Sequence, residues 1–300
     1  MKVGVIGLGE IAQKAYLPVL ANKSDLDIVL ATRNSQVLDQ LSRQYRLAQK
    51  VRSVDELIAT GIQAAFVHTA TETHVPIVQR LLDSGIHVYV DKPLAYSFGE
   101  AQALVELAKR RQRLLMVGFN RRFAPFYNQL YTIPEKSFIL IQKNRINLPE
   151  TVRTFIFDDF IHVVDTLRFL SPSPPRDIHI TGHKKNGLLQ QAVIEWSGSS
   201  FTAIGVMNRD SGKNEEKLEV IASGSKWQVN DLGETIYFHN GKEERIRFGD
   251  WEPILFRRGF PQIIDHFLSA VAQQLPSSPT SEDSILTHEL CERIVHALAV

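Results

Sequence analysis

The sequence predicts an α/β fold: an N-terminal doubly wound parallel sheet, followed by an α+β domain with an open, largely antiparallel sheet. Up to Gly118, strand-like and helix-like segments alternate, which is typical of parallel sheets with helices on both faces. A glycine-rich turn joins the first strand to the first helix. After Gly118, short β segments are separated by turn dipeptides such as Asn186-Gly187 and Ser223-Gly224, which indicates antiparallel pairing.

The first half contains short apolar runs separated by segments with helical spacing. The predicted strands are Lys2–Ile6, Asp27–Ala31, Ala64–His68, His87–Val90 and Leu114–Val117. The predicted helices are Ile11–Leu20, Gln36–Tyr45, Val75–Ser84 and Ala101–Arg110. Because right-handed crossovers join such parallel strands, we assign residues 1–118 to one domain.

The second half begins with one long helical segment, Phe155–Leu170, and continues as β runs. The predicted strands are Asp177–His183, Gln190–Trp196, Phe201–Met207, Lys217–Ala222, Trp227–Asn230, Thr235–His239 and Arg245–Phe248. Helical spacing returns over Gln262–Gln273 and Ser281–Ala297. We assign residues 119–300 to a second domain.

Composition excludes several classes of protein. The 300 residues include 44% hydrophobic and 22% charged residues and carry a formal net charge of +1, so no basic surface marks a nucleic-acid binder. Cys291 is the single cysteine, which rules out an intramolecular disulfide and suits a reducing compartment. No apolar run is long enough to span a bilayer. We therefore expect a cytoplasmic protein with no membrane partner and no nucleic-acid partner.

A glycine motif follows the first predicted strand. Gly7-Leu8-Gly9-Glu10-Ile11-Ala12 has the pattern G-x-G-x-x-A and opens a helix. Gly7 permits the tight turn, Gly9 allows the backbone to approach a pyrophosphate, and Ala12 allows close packing of helix on strand. The helix N-terminus supplies amides to an anion. The strand–turn–helix context predicts a Rossmann dinucleotide-binding domain.

The end of the second predicted strand bears on the choice between NAD and NADP. An acidic residue at this place binds the ribose 2′-hydroxyl, whereas an arginine suits a 2′-phosphate. The strand ends in Thr32 and Arg33, with no carboxylate. This favours NADP over NAD, although Arg33 stacked on adenine or directed to solvent is an alternative.

Three further segments resemble motifs of one oxidoreductase family. Val90-Asp91-Lys92-Pro93 resembles the glutamate-lysine-proline motif of the glucose-fructose oxidoreductase / inositol dehydrogenase / MocA (Gfo/Idh/MocA) family. Thr69–His74 resembles its threonine-proline-asparagine-x-x-histidine loop, and Asp158–Asp165 its aspartate-x-glycine-x-histidine-x-x-aspartate helix start. The resemblance is closer still to MviM-type, virulence-factor-like oxidoreductases, and it rests on the segments GLGEIAQKAYLPVL, VDKPLA, MVGFNRRFAP and DDFIHVVDTLRFL. It covers residues 1–170 well and the remaining sheet loosely.

The resemblance implies hydride transfer between a nicotinamide and a carbinol or carbonyl carbon of a sugar, polyol or related small molecule. It implies that Lys92 and His162 form the catalytic pair and that Asp158 supports His162 from one helical turn away. The residues expected to bind the cofactor are Gly7, Leu8, Gly9, Glu10, Ile11, Ala12, Thr32, Arg33, Thr69, Ala70, His74, Asp91, Lys92 and Asn120. Those expected to bind substrate are Lys92, Asn120, Arg121, Asp158, Asp159 and His162. His68 is expected to line the cofactor together with His74.

The sequence departs from the family pattern at four places. Asp91 stands for the usual glutamate, Ala70 for the loop proline and Phe160 for a glycine, and Tyr131–Thr154 is short, which suggests a trimmed substrate loop.

Two other functions stay open: a non-catalytic NAD(P)-binding sensor or regulator, and a glycosidase that uses NAD for a transient oxidation. One histidine among carboxylates lacks zinc spacing, so we expect no metal. We expect a homodimer or homotetramer. The resemblance implies that residues 119–300 serve substrate binding and oligomerisation.

Overall fold

The computed structural model describes residues 1–299, which form two compact units. Unit 1 combines residues 1–118 with 260–286, and unit 2 combines residues 119–259 with those from 287 onward. The first stretch of unit 1 ends at Gly118, as in the division made from the sequence. The two divisions differ at residues 260–286, which the sequence analysis placed in the second domain and which pack in unit 1.

Unit 1 is built on a six-stranded parallel sheet. Its strands are β1 Lys2–Ile6, β2 Asp27–Ala31, β3 Gln49–Val51, β4 Ala64–Val67, β5 His87–Val90 and β6 Leu115–Val117. Their order is β3-β2-β1-β4-β5-β6, so the connection reverses direction between β1 and β4. In such sheets ligands bind beyond the carboxyl ends of the strands at this reversal. The predicted parallel sheet is confirmed, and β3 is an additional strand.

Helices cover this sheet. They are α1 Leu17–Leu20, α2 Ser35–Tyr45, α3 Val54–Ala59, α4 His74–Asp83 and α5 Phe98–Arg111. The first is preceded by one π-helical turn, Ala12–Tyr16. The Asn34 side chain caps α2 by accepting a hydrogen bond from the Val37 N–H at 3.2 Å. This cap fixes the start of α2 directly after the end of β2.

Unit 2 is built on an eight-stranded, largely antiparallel sheet. Its strands are β7 Lys136–Asn144, β8 Arg176–Lys185, β9 Leu188–Ser197, β10 Thr202–Asn208, β11 Glu215–Ala222, β12 Ser225–Asn230, β13 Glu234–His239 and β14 Lys242–Arg247, in the order β14-β13-β12-β11-β7-β10-β9-β8. β7 is parallel to β10 and antiparallel to β11. The stretch Tyr131–Thr154 therefore contains a strand that was not predicted from the sequence, and the trimmed substrate loop stays a prediction. The strand escaped prediction because its buried positions include the polar Lys136, Lys143 and Asn144.

Short helices accompany this sheet. They are α6 Pro125–Tyr131, α7 Val152–Phe155, α8 Ile161–Leu170 and α9 Ile254–Arg257. A π-helical turn, Ile156–Phe160, separates α7 from α8. The α8 helix packs on β7 and β10. A Cβ atom on Gly205 would lie 2.6 Å from Val163 and 2.8 Å from Leu167, so glycine is what lets α8 approach β10.

Two C-terminal helices complete the chain, α10 Phe260–Gln273 and α11 Ser281–Ala299. Phe260 packs edge-on against Tyr16 at a centroid distance of 5.3 Å, and Phe267 does so against Phe66 at 5.3 Å and Tyr89 at 5.5 Å. These aromatic contacts are why α10 belongs to unit 1. No helix within residues 1–299 is long and apolar enough to cross a membrane.

Candidate cofactor and catalytic site

The glycine turn after β1 has the geometry that a dinucleotide requires. Gly7 has a φ of +87°, and a Cβ atom there would lie 2.4 Å from the Thr69 backbone nitrogen. Only glycine fits this contact between the β1 and β4 loops. A Cβ on Gly9 would meet nothing within 4 Å, so the space beside this residue is open. These features fit a bound pyrophosphate.

The other residues of the glycine motif divide by exposure. Leu8 and Ala12 are buried, and Ala12 lies in the π-helical turn. Glu10 and Ile11 are exposed, and Glu10 forms an ion pair with Lys14. Leu8 and Ala12 therefore support the turn through packing, while the Glu10 side chain is already engaged by its own helix.

A cleft of about 470 Å³ opens at the carboxyl ends of the strands of unit 1. Its lining residues are Ile6, Gly7, Ala31, Thr32, Arg33, Arg52, Ser53, Val54, Thr69, Ala70, Thr73, Pro76 and Ile77. The cleft thus brings together the predicted Gly7, Thr32, Arg33, Thr69 and Ala70. It also includes Arg52, which the sequence analysis missed because Arg52 follows β3, a strand that was not predicted.

His74 joins two loops at this edge of the sheet. It is 1% exposed, and its ring nitrogens lie 2.8 Å from the Pro93 carbonyl oxygen and 3.0 Å from the Thr69 carbonyl oxygen. His74 was predicted from the sequence to bind the cofactor. Because both nitrogens face protein carbonyls, its side chain holds the Thr69 and Pro93 loops together, and its contact with a cofactor stays a prediction.

His68 is likewise buried and does not line the cleft. Its ring stacks on Tyr16 at a centroid distance of 3.8 Å. Burial, with a smaller contribution from His74, lowers the pKa of His68 to about 3. The His68 imidazole is therefore neutral and acts as part of the aromatic core.

The end of β5 places Asp91 and Lys92 next to each other. Tyr16 donates a hydrogen bond from its hydroxyl to Asp91 Oδ1 at 3.0 Å, and its oxygen lies 2.9 Å from the Tyr89 hydroxyl. Burial raises the pKa of Asp91, while the neighbouring Lys92 opposes this shift. Asp91 is thus held by Tyr16, and Lys92 follows it as a half-buried side chain at the strand end.

In unit 2, the predicted catalytic helix start contains the π-helical turn. Asp158 lies in this turn and His162 in the first turn of α8, and both are half-buried. A π-helical turn pairs residues five apart, in contrast to the four of an α-helix. The α-helical spacing that was used to couple Asp158 to His162 is therefore altered at this point. π-Helical turns are frequent at functional sites.

Asp159 is buried and forms ion pairs with two basic side chains, one on β7 and one directly after this strand. It pairs with Lys143, and Arg145 donates to it from Nε at 3.0 Å. Burial, reinforced by the nearby Arg121, lowers the pKa of Lys143 to about 7. Asp159 was predicted to bind substrate, but its carboxylate is already occupied by these two side chains.

Asn120 and Arg121 follow β6 and are engaged within unit 2. The Asn120 amide donates to the Arg258 carbonyl at 2.8 Å. Arg121 forms a two-pronged contact with Glu216, at 2.8 Å from Nε and 2.6 Å from Nη2. Although burial favours the neutral acid, the Arg121 guanidinium lowers the pKa of Glu216 to about 2. The roles of Asn120 and Arg121 in binding stay predictions. Any ligand that they bind must share their side chains with the contacts to Arg258 and Glu216.

Asp165, the last residue of the helix-start motif, is also paired. Arg122 donates to it from Nε at 2.9 Å and from Nη2 at 2.6 Å, and Thr287 donates from its hydroxyl at 2.9 Å. This carboxylate therefore anchors α8 to the segment after β6 and to α11. Among residues 1–299, no group of three or more histidine, cysteine, aspartate or glutamate side chains could hold a metal ion.

The fold and the glycine turn define a dinucleotide-dependent oxidoreductase, and comparison with known proteins agrees. Residues 1–119 match the model of the oxidoreductase family with an NAD-binding Rossmann fold, Gfo/Idh/MocA, and residues 125–238 match the YceM-like C-terminal domain. The protein YceM of Salmonella typhimurium is 33% identical, over 99% of this chain and 97% of that protein. The chain belongs to the Gfo/Idh/MocA family.

Two other relatives extend the comparison. The crystal structure of the dehydrogenase MviM from Clostridium difficile is 33% identical, with a TM-score of 0.93 over 99% of each chain. Inositol 2-dehydrogenase of Rhizobium meliloti is 22% identical, over 100% of this chain and 97% of that protein. The chain is therefore similar along its whole length to named dehydrogenases.

Proposed function

We propose that the protein transfers a hydride between NADP(H) and a carbinol or carbonyl carbon of a sugar, polyol or related small molecule. The observation that carries the proposal is Lys92 at the carboxyl end of β5, in the sheet whose β1, β2 and β4 ends line the cofactor cleft. Ligands bind at this edge of doubly wound sheets. The polyol class is supported by the similarity to an inositol 2-dehydrogenase.

The nicotinamide, when bound, supplies the hydride acceptor or donor. The chain's own task is to move the proton of the substrate hydroxyl and to hold the reacting carbon. We assign the proton transfer to Lys92, with His162 as its partner in the reaction and Asp158 as the carboxylate that orients His162. Asn120 and Arg121 complete the substrate site in this proposal.

The test is a screen of sugars and polyols with NADP⁺ and NAD⁺, followed through the absorbance of the reduced cofactor. Net reduction with at least one substrate supports the proposal. Tight cofactor binding without turnover over a broad panel would favour a sensor. Cleavage of a glycoside without net cofactor reduction would favour the glycosidase.

The location of the protein in the cytoplasm stays a prediction from the sequence.

We expect NADP(H) to bind at least as tightly as NAD(H), because β2 ends without a carboxylate and Arg33 lines the cleft. Replacing Arg33 by alanine should weaken NADP binding more than NAD binding, since only NADP carries the 2′-phosphate. Dissociation constants for both cofactors in both proteins check this. A strong preference for NAD that ignores Arg33 would contradict the assignment.

We also expect a homodimer or homotetramer in solution, since closed symmetric oligomers are common among soluble chains. One face of the unit 2 sheet is covered by α8, whereas the other carries the half-buried apolar residues Leu140, Ile204 and Val206. Light scattering measures the mass. A monomer at micromolar concentration would contradict the prediction, and Ile204→Glu should dissociate the oligomer if this face forms the contact.

A further inference from the structure

Two arginines follow neighbouring strands of unit 1. β2 and β3 are parallel, with Ala31 opposite Val51, and Arg33 and Arg52 come shortly after these partners in the chain. Since neighbouring strands lie about 4.8 Å apart, the two arginine backbones leave the sheet at the same edge. Both arginines line the cleft that contains Gly7.

The charged residues that line this cleft are all positive. Its described lining residues include the cations Arg33 and Arg52 and contain neither aspartate nor glutamate. Within residues 1–299, neither guanidinium makes a hydrogen bond or an ion pair. Glu56 accepts a hydrogen bond from the Arg52 backbone N–H at 2.9 Å, and Glu56 does not line the cleft. Two guanidiniums without partners at one end of a cleft are suited to an anion with several oxygens, such as a phosphate.

We propose that Arg52 is the second arm of a two-arginine clamp that holds the 2′-phosphate of NADP together with Arg33. This rests on the NADP preference proposed above. A dinucleotide on this fold has its pyrophosphate at the turn after the first strand and its adenosine ribose at the end of the second. A phosphate on the ribose 2′-oxygen therefore lies beside Arg33. β3, which carries Arg52, is the next strand outward.

The proposed clamp and an Arg52 side chain stacked on adenine predict different effects on the binding of NADP and NAD. An arginine stacked on adenine contributes equally to NAD and NADP, because both contain adenine. An arginine on the 2′-phosphate contributes to NADP alone. A loss of affinity for NADP alone therefore indicates that Arg52 contacts the 2′-phosphate, whereas an equal loss for both cofactors indicates adenine. The measurement needs no substrate.

The experiment is calorimetric titration of NADP⁺ and NAD⁺ into the wild-type protein and its variants. The variants are R52A, R33A, the double variant R33A/R52A, R52K, and the control R43A. Arg43 is an exposed arginine on α2 that does not line the cleft. A second pair of probes, 2′-AMP and 5′-AMP, tests the phosphate position alone. Thermal melting verifies that each variant is folded.

We expect R52A to weaken NADP⁺ binding by about tenfold to a hundredfold, the range for one charge-assisted hydrogen-bonding partner. NAD⁺ binding should change by less than about twofold, far below the tenfold that one such contact represents. 2′-AMP should weaken with NADP⁺, and 5′-AMP should not. R33A/R52A should abolish the preference for NADP⁺, R52K should recover part of the loss because it keeps the charge without the fork, and R43A should bind like the wild type.

An equal loss for NADP⁺ and NAD⁺ in R52A would overturn the clamp, and so would no loss for either. These results differ from a failure of the proposed function. If the wild type prefers NAD⁺ but R52A still weakens NADP⁺ and 2′-AMP selectively, the clamp stands and the cofactor preference falls. If no sugar or polyol reduces the cofactor, the binding measurements still decide the role of Arg52.

Discussion

Replacing Lys92 by alanine should lower turnover by about a hundredfold to ten-thousandfold, the range for a positioned acid or base. Binding of NADP(H) should stay nearly intact, because Gly7, Arg33 and the rest of the cleft remain. The measurement compares kcat and KM on a substrate from the screen with the NADP⁺ dissociation constant. A loss in kcat with little change in cofactor binding assigns Lys92 to the chemical step.

Three further variants refine this result. His162→Ala should cost less than Lys92→Ala if Lys92 alone carries the proton, and about as much if the two act as one unit. Asp158→Asn should act mainly through His162, so the double variant should be little worse than His162→Ala. Lys109→Ala, an exposed lysine on α5, is the matched control and should keep full turnover. Full turnover in Lys92→Ala would mean that the family motif reports the fold alone.

Asp165→Ala should destabilise unit 2 by about 3–5 kcal/mol, because it leaves the buried Arg122 guanidinium without its carboxylate. The side chains of Arg122 and Asp165 are 9% and 2% exposed. The three tryptophans, Trp196, Trp227 and Trp251, all belong to unit 2. Their fluorescence during urea unfolding therefore reports the free energy of unfolding of this unit.

The control for this prediction is Glu243→Ala, which removes an exposed ion pair with Arg245 in the same unit. Exposed pairs contribute little to stability, so this variant should unfold at nearly the wild-type urea concentration. A double replacement of Arg122 and Asp165 by Met and Leu should recover much of the loss, because it removes both buried charges. A loss in Asp165→Ala no larger than in Glu243→Ala would contradict the assignment.

The parts of the fold that could be predicted are those where hydrophobic pattern and burial agree. The runs Lys2–Ile6 and Asp27–Ala31 are nearly all buried in the parallel sheet, so a continuous apolar run was a sufficient signal. β3 escaped because Gln49–Val51 has three residues, two of them polar. β7 escaped because Lys143 and Asn144 occupy buried positions through ion pairs and hydrogen bonds that only the fold reveals.

The candidate site likewise contains residues that the sequence could identify and residues that it could not. The glycine motif and Lys92 carry local signals, since a turn geometry and a strand end can be recognised within ten residues. Arg121 and Glu216 are 95 positions apart, and Tyr16 meets Asp91 across 75. No local pattern could join these pairs. The π-helical turn at Ile156–Phe160 was hidden because its sequence, IFDDF, contains no glycine or proline that would set it apart from an α-helix.

The last segment of unit 1 to be synthesised is also the one that covers its aromatic core. A nascent chain that has left the ribosome up to Gly118 already contains all six strands of the parallel sheet, but Tyr16, Phe66 and Tyr89 still lack Phe260 and Phe267. Residues 119–259 must be translated first, which takes on the order of ten seconds at about 5–20 residues per second. During that interval an apolar patch of the growing chain is open to chaperones, and a fragment that stops at residue 118 would keep it exposed permanently.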